Sequence, residues 1–277
     1  MNTNLLTTEW LTGFIDGDGY LGLERINRKR NNKIDVFYRP VLAISQKNPM
    51  VLYKIKSFIG CGSVTLKGKD KKNYHYRIRS SQQFVTFLYP RFKKTFFQTN
   101  KQLQFEILVQ AITFLIEEYK PQNVDHQMYL ETLDKKLRQN RFLDYCNSYP
   151  ISWNWFVGFF EAEGTFYLNV DQSSSNFLFK VTQKNKPLLI KIQQSFGYGT
   201  IQKERNSIYN FQIASFDMIE KKLFPLLEKT VFHSQKNVSR IKWLKVCRLV
   251  IKLNQMNRPL LETHFQVILK IKQSLNK

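Results

Sequence analysis

The chain contains an internal repeat, and this feature restricts its possible folds more than any other. Residues 10–19 (WLTGFIDGDG) return as residues 155–164 (WFVGFFEAEG). Shorter echoes follow in the same order, pairing residues 45–49 with 182–187, residues 57–62 with 195–199, and Lys101 with Lys236. Several matches in one order indicate a duplicated unit rather than a chance motif. The sequence therefore predicts two copies of one fold.

Within the first copy, the spacing of apolar residues changes from a helical period to a strand period and back. Asn48 and Pro49 are expected to open a short helix as its cap and first-turn proline, and residues 68–73 are expected to form a turn. The order begins with a helix (8–16), two strands (20–29 and 35–46) and the short helix (48 onward). Two more strands (62–68 and 73–80) and two helices (81–88 and 100–118) follow. This pattern predicts an α+β fold.

The repeat also predicts the division of the chain. An N-terminal unit spans residues 1–118 and a C-terminal unit spans residues 150–277. The charged segment 119–149 joins them as a linker, with a helical pattern at residues 125–139. A final amphipathic helix is expected at residues 260–275.

The charge balance indicates the kind of partner. The 43 Lys and Arg residues outnumber the 21 Asp and Glu residues, which gives a net charge of +22. Such an excess favours a polyanion, and nucleic acid first, because cations placed on phosphates release condensed counterions. The alternative is the compositional bias of an AT-rich gene, which enriches Lys, Asn, Ile, Phe and Tyr. With 43% hydrophobic residues, disorder over the whole chain is excluded.

Several other classes of protein are disfavoured. The apolar stretches are too short to cross a bilayer and the N-terminus lacks a leader pattern, so neither secretion nor membrane insertion is expected. The three cysteines, Cys61, Cys146 and Cys247, are widely spaced, which favours buried thiols in an intracellular, reducing environment. The four histidines are scattered, and we assign none of them a zinc or catalytic role.

Each repeated motif carries two small residues four positions apart, Gly13 with Gly17 and Gly158 with Ala162. On a helix, such residues share a face and let a second helix approach until the two backbones nearly touch. By itself this spacing predicts a packing helix without a chemical role.

An acid at the end of each motif helix indicates chemistry. Asp18 and Glu163 are predicted at helix C-termini, where the macrodipole disfavours a carboxylate. Two such helices side by side would bring the two carboxylates together, and these repel each other unless a cation lies between them. Oxygen ligands without a histidine cluster favour Mg²⁺. The sequence therefore predicts a divalent metal site at Asp18 and Glu163.

Residues 11–19 and 156–164 resemble the two signature motifs of the monomeric, double-motif LAGLIDADG homing endonucleases. The resemblance implies two pseudo-symmetric αββαββα units whose antiparallel sheets form a saddle over double-stranded DNA. It also implies a monomer that cuts both strands of a long, non-palindromic site by metal-dependent phosphodiester hydrolysis, with intron homing as its biology. Mg²⁺ is the expected ion, and Mn²⁺ or Ca²⁺ would be able to take its place.

The same resemblance assigns roles to individual side chains. Asp18 and Glu163 are the metal-binding carboxylates, one for each DNA strand. Asp16 and Glu161, two residues earlier, are structural acids beside the helix ends. Lys101 and Lys236 match the family's basic residue near the attacking water. Gln46 and Gln183 match the side chain that positions this water.

Strand alternation predicts which side chains face DNA. Leu21 and Leu23 in the first copy, and Phe166 and Leu168 in the second, are assigned to the face that packs on the helices. The opposite face carries residue types that hydrogen-bond base edges in the major groove. The predicted DNA-binding residues are Glu24, Ile26, Arg28, Arg30, Arg39, Lys67, His75, Arg77, Tyr167, Asn169, Asp171, Lys180, Gln202, Asn210 and Gln212.

Other functions remain as alternatives. An RNA-binding maturase of the same fold would assist intron splicing, with intron RNA as its partner, and a regulatory DNA-binding protein would need no catalysis. Retention of Asp18 and Glu163 favours cleavage, because a pure binder has no need of two repelling carboxylates. An intein is disfavoured because the nucleophilic first residue and terminal His-Asn pair are missing. The composition suggests a gene carried in a mitochondrion or chloroplast.

The net charge leads to a test that separates phosphate binding from compositional bias. Binding to a cognate duplex should weaken steeply as salt rises, because each cation on a phosphate contributes about −0.9 to the slope of log affinity against log salt. Fluorescence anisotropy across a salt series measures this slope. A slope shallower than about −3 would favour compositional bias as the origin of the lysines.

Overall fold

The computed structural model of the protein describes residues 5–30, 33–66, 72–170 and 175–275. Two compact units emerge, one of residues 6–159 and one that contains the chain from residue 160 onward. Each unit holds a four-stranded antiparallel sheet covered by helices. Within the described ranges, we find no helix long and apolar enough to cross a membrane. The predicted α+β fold with antiparallel sheets is confirmed.

The first unit follows the predicted order of elements. Thr7 begins helix α1 by accepting a hydrogen bond from the Trp10 backbone N–H at 3.1 Å, as an N-terminal cap does. The elements are α1 (Thr8–Asp18), β1 (Gly19–Arg30), β2 (Lys33–Gln46), α2 (Met50–Ile59), β3 (Ser63–Leu66), β4 (Tyr74–Ile78), α3 (Ser81–Gln83), a π-helical turn (Phe84–Leu88), α4 (Tyr89–Phe92), α5 (Lys101–Glu117) and α6 (Val124–Asn140). The strand order in the sheet is β1-β2-β4-β3.

The second unit repeats this order. Helix α7 (Trp153–Glu163) crosses the division, with residues up to Phe159 grouped in the first unit. The further elements are β5 (Gly164–Val170), β6 (Ser175–Gln183), α8 (Lys186–Phe196), β7 (Thr200–Lys203), β8 (Tyr209–Ile213), α9 (Phe216–Met218), a second π-helical turn (Ile219–Leu223), α10 (Phe224–Lys229), α11 (Lys236–Gln255) and α12 (Glu262–Gln273). Its sheet has the order β5-β6-β8-β7.

One face of each sheet forms the core of its unit. In the first unit, Leu42 pairs with Ile78 and Ile44 with Tyr76, and all four side chains are fully buried. The second core is aromatic: the rings of Phe160 and Phe179 stack with their centroids 4.0 Å apart. The predicted inward positions Leu21, Leu23, Phe166 and Leu168 are buried. Alternation therefore identified the core face of both first strands correctly.

Local differences from the prediction have physical causes. Helix α2 begins at Met50, so Pro49 is the N-terminal cap rather than the first helical residue, although Asn48 still accepts a hydrogen bond from the Met50 N–H at 2.9 Å. The helix expected at residues 81–88 continues to Phe92 through a π-helical turn. Pro90 follows this turn, and a proline has no N–H to continue the ladder of i to i−4 hydrogen bonds. Most of the turn expected at residues 68–73 lies outside the described residues.

The segment between the repeats is more than a connection. Its predicted helix is α6, whose residues Leu130, Leu133 and Leu137 are buried. Glu131 lies 3.7 Å from Arg25 and accepts a hydrogen bond from the Tyr38 hydroxyl at 3.3 Å. Helix α6 thus belongs to the first compact unit. The division into an N-terminal unit of residues 1–118, a linker of residues 119–149 and a C-terminal unit of residues 150–277 stays a prediction.

Two glycines bring helix backbones together inside the first unit. A Cβ atom at Gly13 would lie 1.9 Å from the Trp155 carbonyl oxygen, and one at Gly158 would lie 2.0 Å from the Trp10 carbonyl oxygen. Neither neighbour is a flexible side chain that can move aside. The first turns of α7 and the middle of α1 therefore pack with no space for a methyl group.

Replacing Gly13 or Gly158 by Ala tests this contact. Helix propensity alone predicts a gain of about 1 kcal/mol, whereas the backbone clash should destabilise the protein by about 3 kcal/mol or more. Thermal melting monitored by circular dichroism distinguishes these outcomes. The matched control is Gly197→Asn, since Asn tolerates the left-handed backbone at Gly197 (φ 74°) and no atom lies within 4 Å of its Cβ position. An unchanged or raised melting temperature for Gly13→Ala would contradict the close contact.

Candidate active site and nucleic-acid interface

The first candidate site forms where α1 ends and the sheet begins. Asp18 is the last residue of α1, and Gly19 starts β1 opposite Ile44 of β2. Strand β2 ends two residues later at Gln46, whose Nε2 donates a hydrogen bond to Asp18 Oδ2 at 2.5 Å. Two of the predicted catalytic residues, 28 positions apart in the chain, are therefore in contact.

Lys101 reaches the same end of α1. It is the first residue of α5, and its Nζ donates a hydrogen bond to the Asp16 carbonyl oxygen at 2.7 Å. The ammonium group therefore opposes the negative end of the α1 dipole. It lies beside the last turn of the helix that ends at Asp18.

The carboxylate of Asp16 holds the loop that precedes Lys101. It is only 4% exposed and accepts hydrogen bonds from the Gln98 N–H at 2.7 Å, the Thr99 N–H at 3.3 Å, the Thr99 hydroxyl and the Trp155 Nε1 at 2.8 Å. Burial raises the pKa of Asp16 above its usual value, and the nearby Lys101 and these hydrogen bonds oppose the shift. Asp16 is thus a structural anchor that fixes the start of α5.

The second unit builds its site from equivalent positions. Glu163 ends α7, and Lys236 begins α11 and donates a hydrogen bond from Nζ to the Gly164 carbonyl oxygen. Glu161, 4% exposed, accepts hydrogen bonds from the His233 N–H at 2.8 and 2.9 Å and from the Ser234 N–H at 2.5 Å. A buried acid again holds the loop before a helix that begins with lysine.

Gln183 occupies the same place in its sheet as Gln46. Gly164 pairs with Val181, as Gly19 pairs with Ile44, and both strands end two residues beyond these partners. The shared register brings Gln183 to the strand end next to the motif glycine. The sequence echo at Gln46 and Gln183 thus corresponds to one structural position used twice.

The donor types at the two helix ends fit a hard divalent cation. Asp18 and Glu163 offer carboxylate oxygens, which Mg²⁺ and Ca²⁺ prefer. Among the described residues, no cluster of three or more His, Cys, Asp or Glu side chains is present. Each unit offers one carboxylate at the last residue of its motif helix.

The outer face of the first sheet carries a cluster of charges. Glu24 and Arg39 are cross-strand partners, with Arg39 Nη2 2.6 Å from Glu24 Oε2, and Arg79 Nε lies 3.7 Å from the same oxygen. Burial and the neighbouring Arg79 lower the pKa of Arg77. The exposed guanidinium of Arg28 lies 4.8 Å above the ring of Phe37. Cations thus outnumber carboxylates in this cluster.

Two predicted base-reading residues are less accessible than alternation suggests. His75 is 6% exposed and Asn210 is 3% exposed. The Ser45 hydroxyl lies 2.7 Å from His75 Nδ1, and the equivalent Thr182 hydroxyl donates to Asn210 Oδ1 at 2.6 Å. Both residues lie on the predicted face, but they form hydrogen bonds inside the sheet layer. Their role as base readers stays a prediction.

Among the described residues of the predicted interface, the second sheet contributes one lysine, Lys180, and no arginine. Lys180 Nζ lies 3.3 Å from Glu204 Oε1. The hydrogen bond from the Asn210 amide, followed by the contact with Lys180, lowers the pKa of Glu204. Asn169 Oδ1 accepts a hydrogen bond from Lys272 of α12 at 2.5 Å, so this predicted DNA contact is engaged within the protein. Tyr167 is 47% exposed.

The remaining predicted interface residues divide into three groups. Ile26, Gln202 and Gln212 lie in strands, with Gln202 exposed and the other two partly exposed. Arg30 ends β1. Lys67 and Asp171 lie outside the described residues.

Two groups at these faces lack any local signal in the sequence. Glu204 follows β7 in a segment without periodicity, so no local signal pointed to its contacts with Lys180 and Asn210. Arg141 follows α6, and its guanidinium lies 4.5 Å above the ring of Tyr20. Nothing in the sequence connects two residues 121 positions apart.

The chain matches a known protein family and is similar to several known proteins. The family model described as LAGLIDADG endonuclease matches residues 11–112 and 156–247. A probable intron-encoded endonuclease, Cox1-I1b of Schizosaccharomyces pombe, is 27% identical over 218 residues, which cover 76% of this chain and 55% of the relative. Probable intron-encoded endonuclease 4 of Neurospora crassa is 22% identical over 97% of this chain and 44% of its own length. The chain thus spans about half the length of these curated relatives.

Solved structures share the fold. I-SmaMI bound to an uncleaved DNA target in the presence of calcium ions has a TM-score of 0.81 at 19% identity, covering 98% of this chain and 99% of that one. I-GzeII in complex with a DNA target has a TM-score of 0.79 at 21% identity, covering 98% and 99%. I-CpaMI bound to uncleaved DNA has a TM-score of 0.80 at 20% identity, covering 98% and 100%.

The family model covers both sequence motifs and most of the body of each repeat. The structure places an acid, a lysine and a glutamine at matching positions of the two units. On the strength of the duplicated motifs and the matching family model, this chain belongs to the LAGLIDADG endonuclease family.

Proposed function

We propose that the chain is a site-specific endonuclease that acts as a monomer and cuts both strands of a long DNA site. The observation that carries this proposal is the repeated half-site: a helix that ends in a carboxylate, with a lysine held against the same helix end by a buried acid. One such half-site acts on each DNA strand. Intron homing is the biological role that the names of the curated relatives support.

Asp18 and Glu163 are the residues that would hold the metal, with Mg²⁺ as the physiological ion and Mn²⁺ or Ca²⁺ as substitutes. A bound divalent ion polarises a scissile phosphate and lowers the pKa of an attacking water. The structure of I-SmaMI bound to an uncleaved DNA target was obtained in the presence of calcium ions, which supports the use of a divalent ion.

The other side chains of each half-site prepare the reaction. Gln46 orients the carboxylate of Asp18 through its 2.5 Å hydrogen bond. Lys101 places a positive charge where negative charge grows on the phosphate oxygens in the transition state. Asp16 keeps that lysine in place, because it binds the backbone of the two residues at the end of the preceding loop. Lys236 and Glu161 have these same roles in the second unit.

The outer sheet faces would bind and read the DNA. The net charge of +22 supports many phosphate contacts, and exposed arginine and glutamine side chains suit base edges in the major groove. Residues at equivalent positions differ: Arg77 in β4 corresponds to Gln212 in β8. Because the two faces are chemically different, the preferred site should not be a palindrome.

The maturase alternative is not favoured. An RNA-binding protein without cleavage activity has no use for a lysine and a carboxylate preserved together at both helix ends, and the curated relatives are named endonucleases. A mitochondrial or chloroplast location stays a prediction from composition.

Substitution of the helix-end acids tests the catalytic assignment. Asp18→Asn or Glu163→Gln should abolish double-strand cleavage of the selected target, because each change removes a metal-binding carboxylate. DNA affinity, measured by gel shift with Ca²⁺, should stay within a few fold. Glu9→Gln is the matched control, since Glu9 lies in the first turn of α1 and its loss affects helix stability by about 1 kcal/mol at most. Normal cutting of both strands by either site variant would refute the assignment.

A pair of adjacent residues in β4 tests the assignment of sheet faces. Arg77→Ala should relax the preference at one or two base pairs and cost about 1–3 kcal/mol of discrimination, with little change in melting temperature. Ile78→Ala should instead lower stability by about 2–5 kcal/mol by leaving a cavity, without altering base preference. Cleavage profiles over all single-base variants of the target, measured beside melting curves, separate the two. The reverse pattern would mean that the opposite face of the sheet meets the DNA.

A further inference from the structure

The segment that follows α6 brings an arginine around the edge of the first sheet. Within α6, Glu131 contacts Arg25 and Tyr38, which pair with each other on the helix-covered face of β1 and β2. After α6, Arg141 contacts Tyr20, which lies on the opposite face because alternate residues of a strand point to opposite sides. Since β1 is an edge strand, the segment can pass from one face to the other.

The contact between Arg141 and Tyr20 is specific. The guanidinium lies 4.5 Å above the ring centroid, and Nη2 donates a hydrogen bond to the Tyr20 hydroxyl at 2.7 Å. The ring lies along the strand over Gly22, where a Cβ atom would come within 2.6 Å of the Tyr20 oxygen. Gly22 therefore leaves the space in which Tyr20 supports Arg141.

This position borders the first half-site. Tyr20 is the second residue of β1, and Asp18 ends the helix immediately before that strand. The Arg141 carbonyl oxygen accepts a hydrogen bond from Asn100 Nδ2 at 2.9 Å, and Asn100 immediately precedes Lys101. The loop end that presents the candidate catalytic lysine also holds the backbone of Arg141.

The charge of Arg141 is incompletely compensated. Its Nε is buried without a hydrogen-bond partner, and no carboxylate of the described residues lies within 4.0 Å of its guanidinium. Arg39 and Arg138, by contrast, form ion pairs with Glu24 and Asp134. A guanidinium that is held in place and has no carboxylate partner is well suited to a phosphate, whose oxygens match its planar geometry.

We propose that Arg141 is a phosphate-binding residue of the Asp18 half-site, contacting the DNA backbone beside the bond that this half-site cuts. The proposal rests on the endonuclease function proposed above. The proposal also predicts that loss of Arg141 affects cleavage of the two DNA strands unequally. Thr165 takes the place of Tyr20 in the second sheet, where it pairs with Lys180 as Tyr20 pairs with Ala43. Without an aromatic ring at Thr165, the second unit lacks this support for an arginine.

Strand-resolved cleavage kinetics of the full-length protein provide the test. A selected target duplex carries a different fluorophore on each strand, and Asp18→Asn first identifies the strand that depends on Asp18. Arg141→Ala should slow cleavage of that strand by about tenfold or more and the other strand by less than about threefold. Arg141→Lys keeps the charge but not the fork geometry, so it should give an intermediate rate.

Binding measurements supply a second readout. In Ca²⁺, the slope of log affinity against log salt should become less steep by about 0.9 for Arg141→Ala, because one phosphate contact is lost. The matched control is Arg248→Ala: Arg248 also lies over a ring, 5.7 Å from the Phe224 centroid, but Glu228 pairs with it at 2.6 Å. This control should change neither the salt slope nor the strand bias.

The possible outcomes are distinct. An unchanged salt slope, or equal slowing of both strands by Arg141→Ala, would overturn the proposal. If Arg141→Ala lowers the melting temperature by more than a few degrees, Arg141→Gln replaces it in both measurements, because glutamine can still donate to the Tyr20 hydroxyl. Failure of the wild-type protein to cut any selected duplex would instead refute the endonuclease function.

Discussion

A carboxylate buried inside a protein needs hydrogen-bond donors, and both units of this protein take them from the same place. Asp16 and Glu161 bind the backbone of the loops that lead into α5 and α11. These bonds fix where each helix begins, and the first residue of each is the lysine that contacts the motif helix or the glycine after it. Burial of one acid in each unit therefore determines where the lysine ammonium group lies, close to the end of the motif helix that carries the second acid.

The sheets carry a different kind of order. Their inner faces are apolar cores, whereas their outer faces already contain ion pairs such as Glu24 with Arg39 and Lys180 with Glu204. Exposed ion pairs of this kind contribute little to stability, about 0–1 kcal/mol, so their main effect is on the direction in which charged groups point. The arginines near Arg77 in the first unit have no counterpart among the described interface residues predicted for the second sheet, where Lys180 is the one cation. The strength of binding to an anionic partner such as DNA should therefore differ between the two faces.

The duplication supplied two similar half-sites, and the segment between the repeats made them unequal. Helix α6 packs three leucines against the first unit, and the chain beyond it places Arg141 over Tyr20. The connecting segment occurs once in the chain, so its contact with the first unit needs no counterpart in the second. An unequal pair of half-sites suits a target whose two strands have different sequences around the cut.

The sequence by itself determined the order of helices and strands and the core face of each first strand, and it predicted the acids and lysines of the two half-sites. These follow from periodicity and from repeated motifs, which are local properties of the chain. Tertiary structure alone decided that His75 and Asn210 turn their polar atoms to neighbours within the sheet, that Lys272 engages Asn169, and that Arg141 reaches Tyr20. Each of these contacts joins residues at least 28 positions apart, and no local pattern records which distant side chains the folded backbone brings within hydrogen-bonding distance.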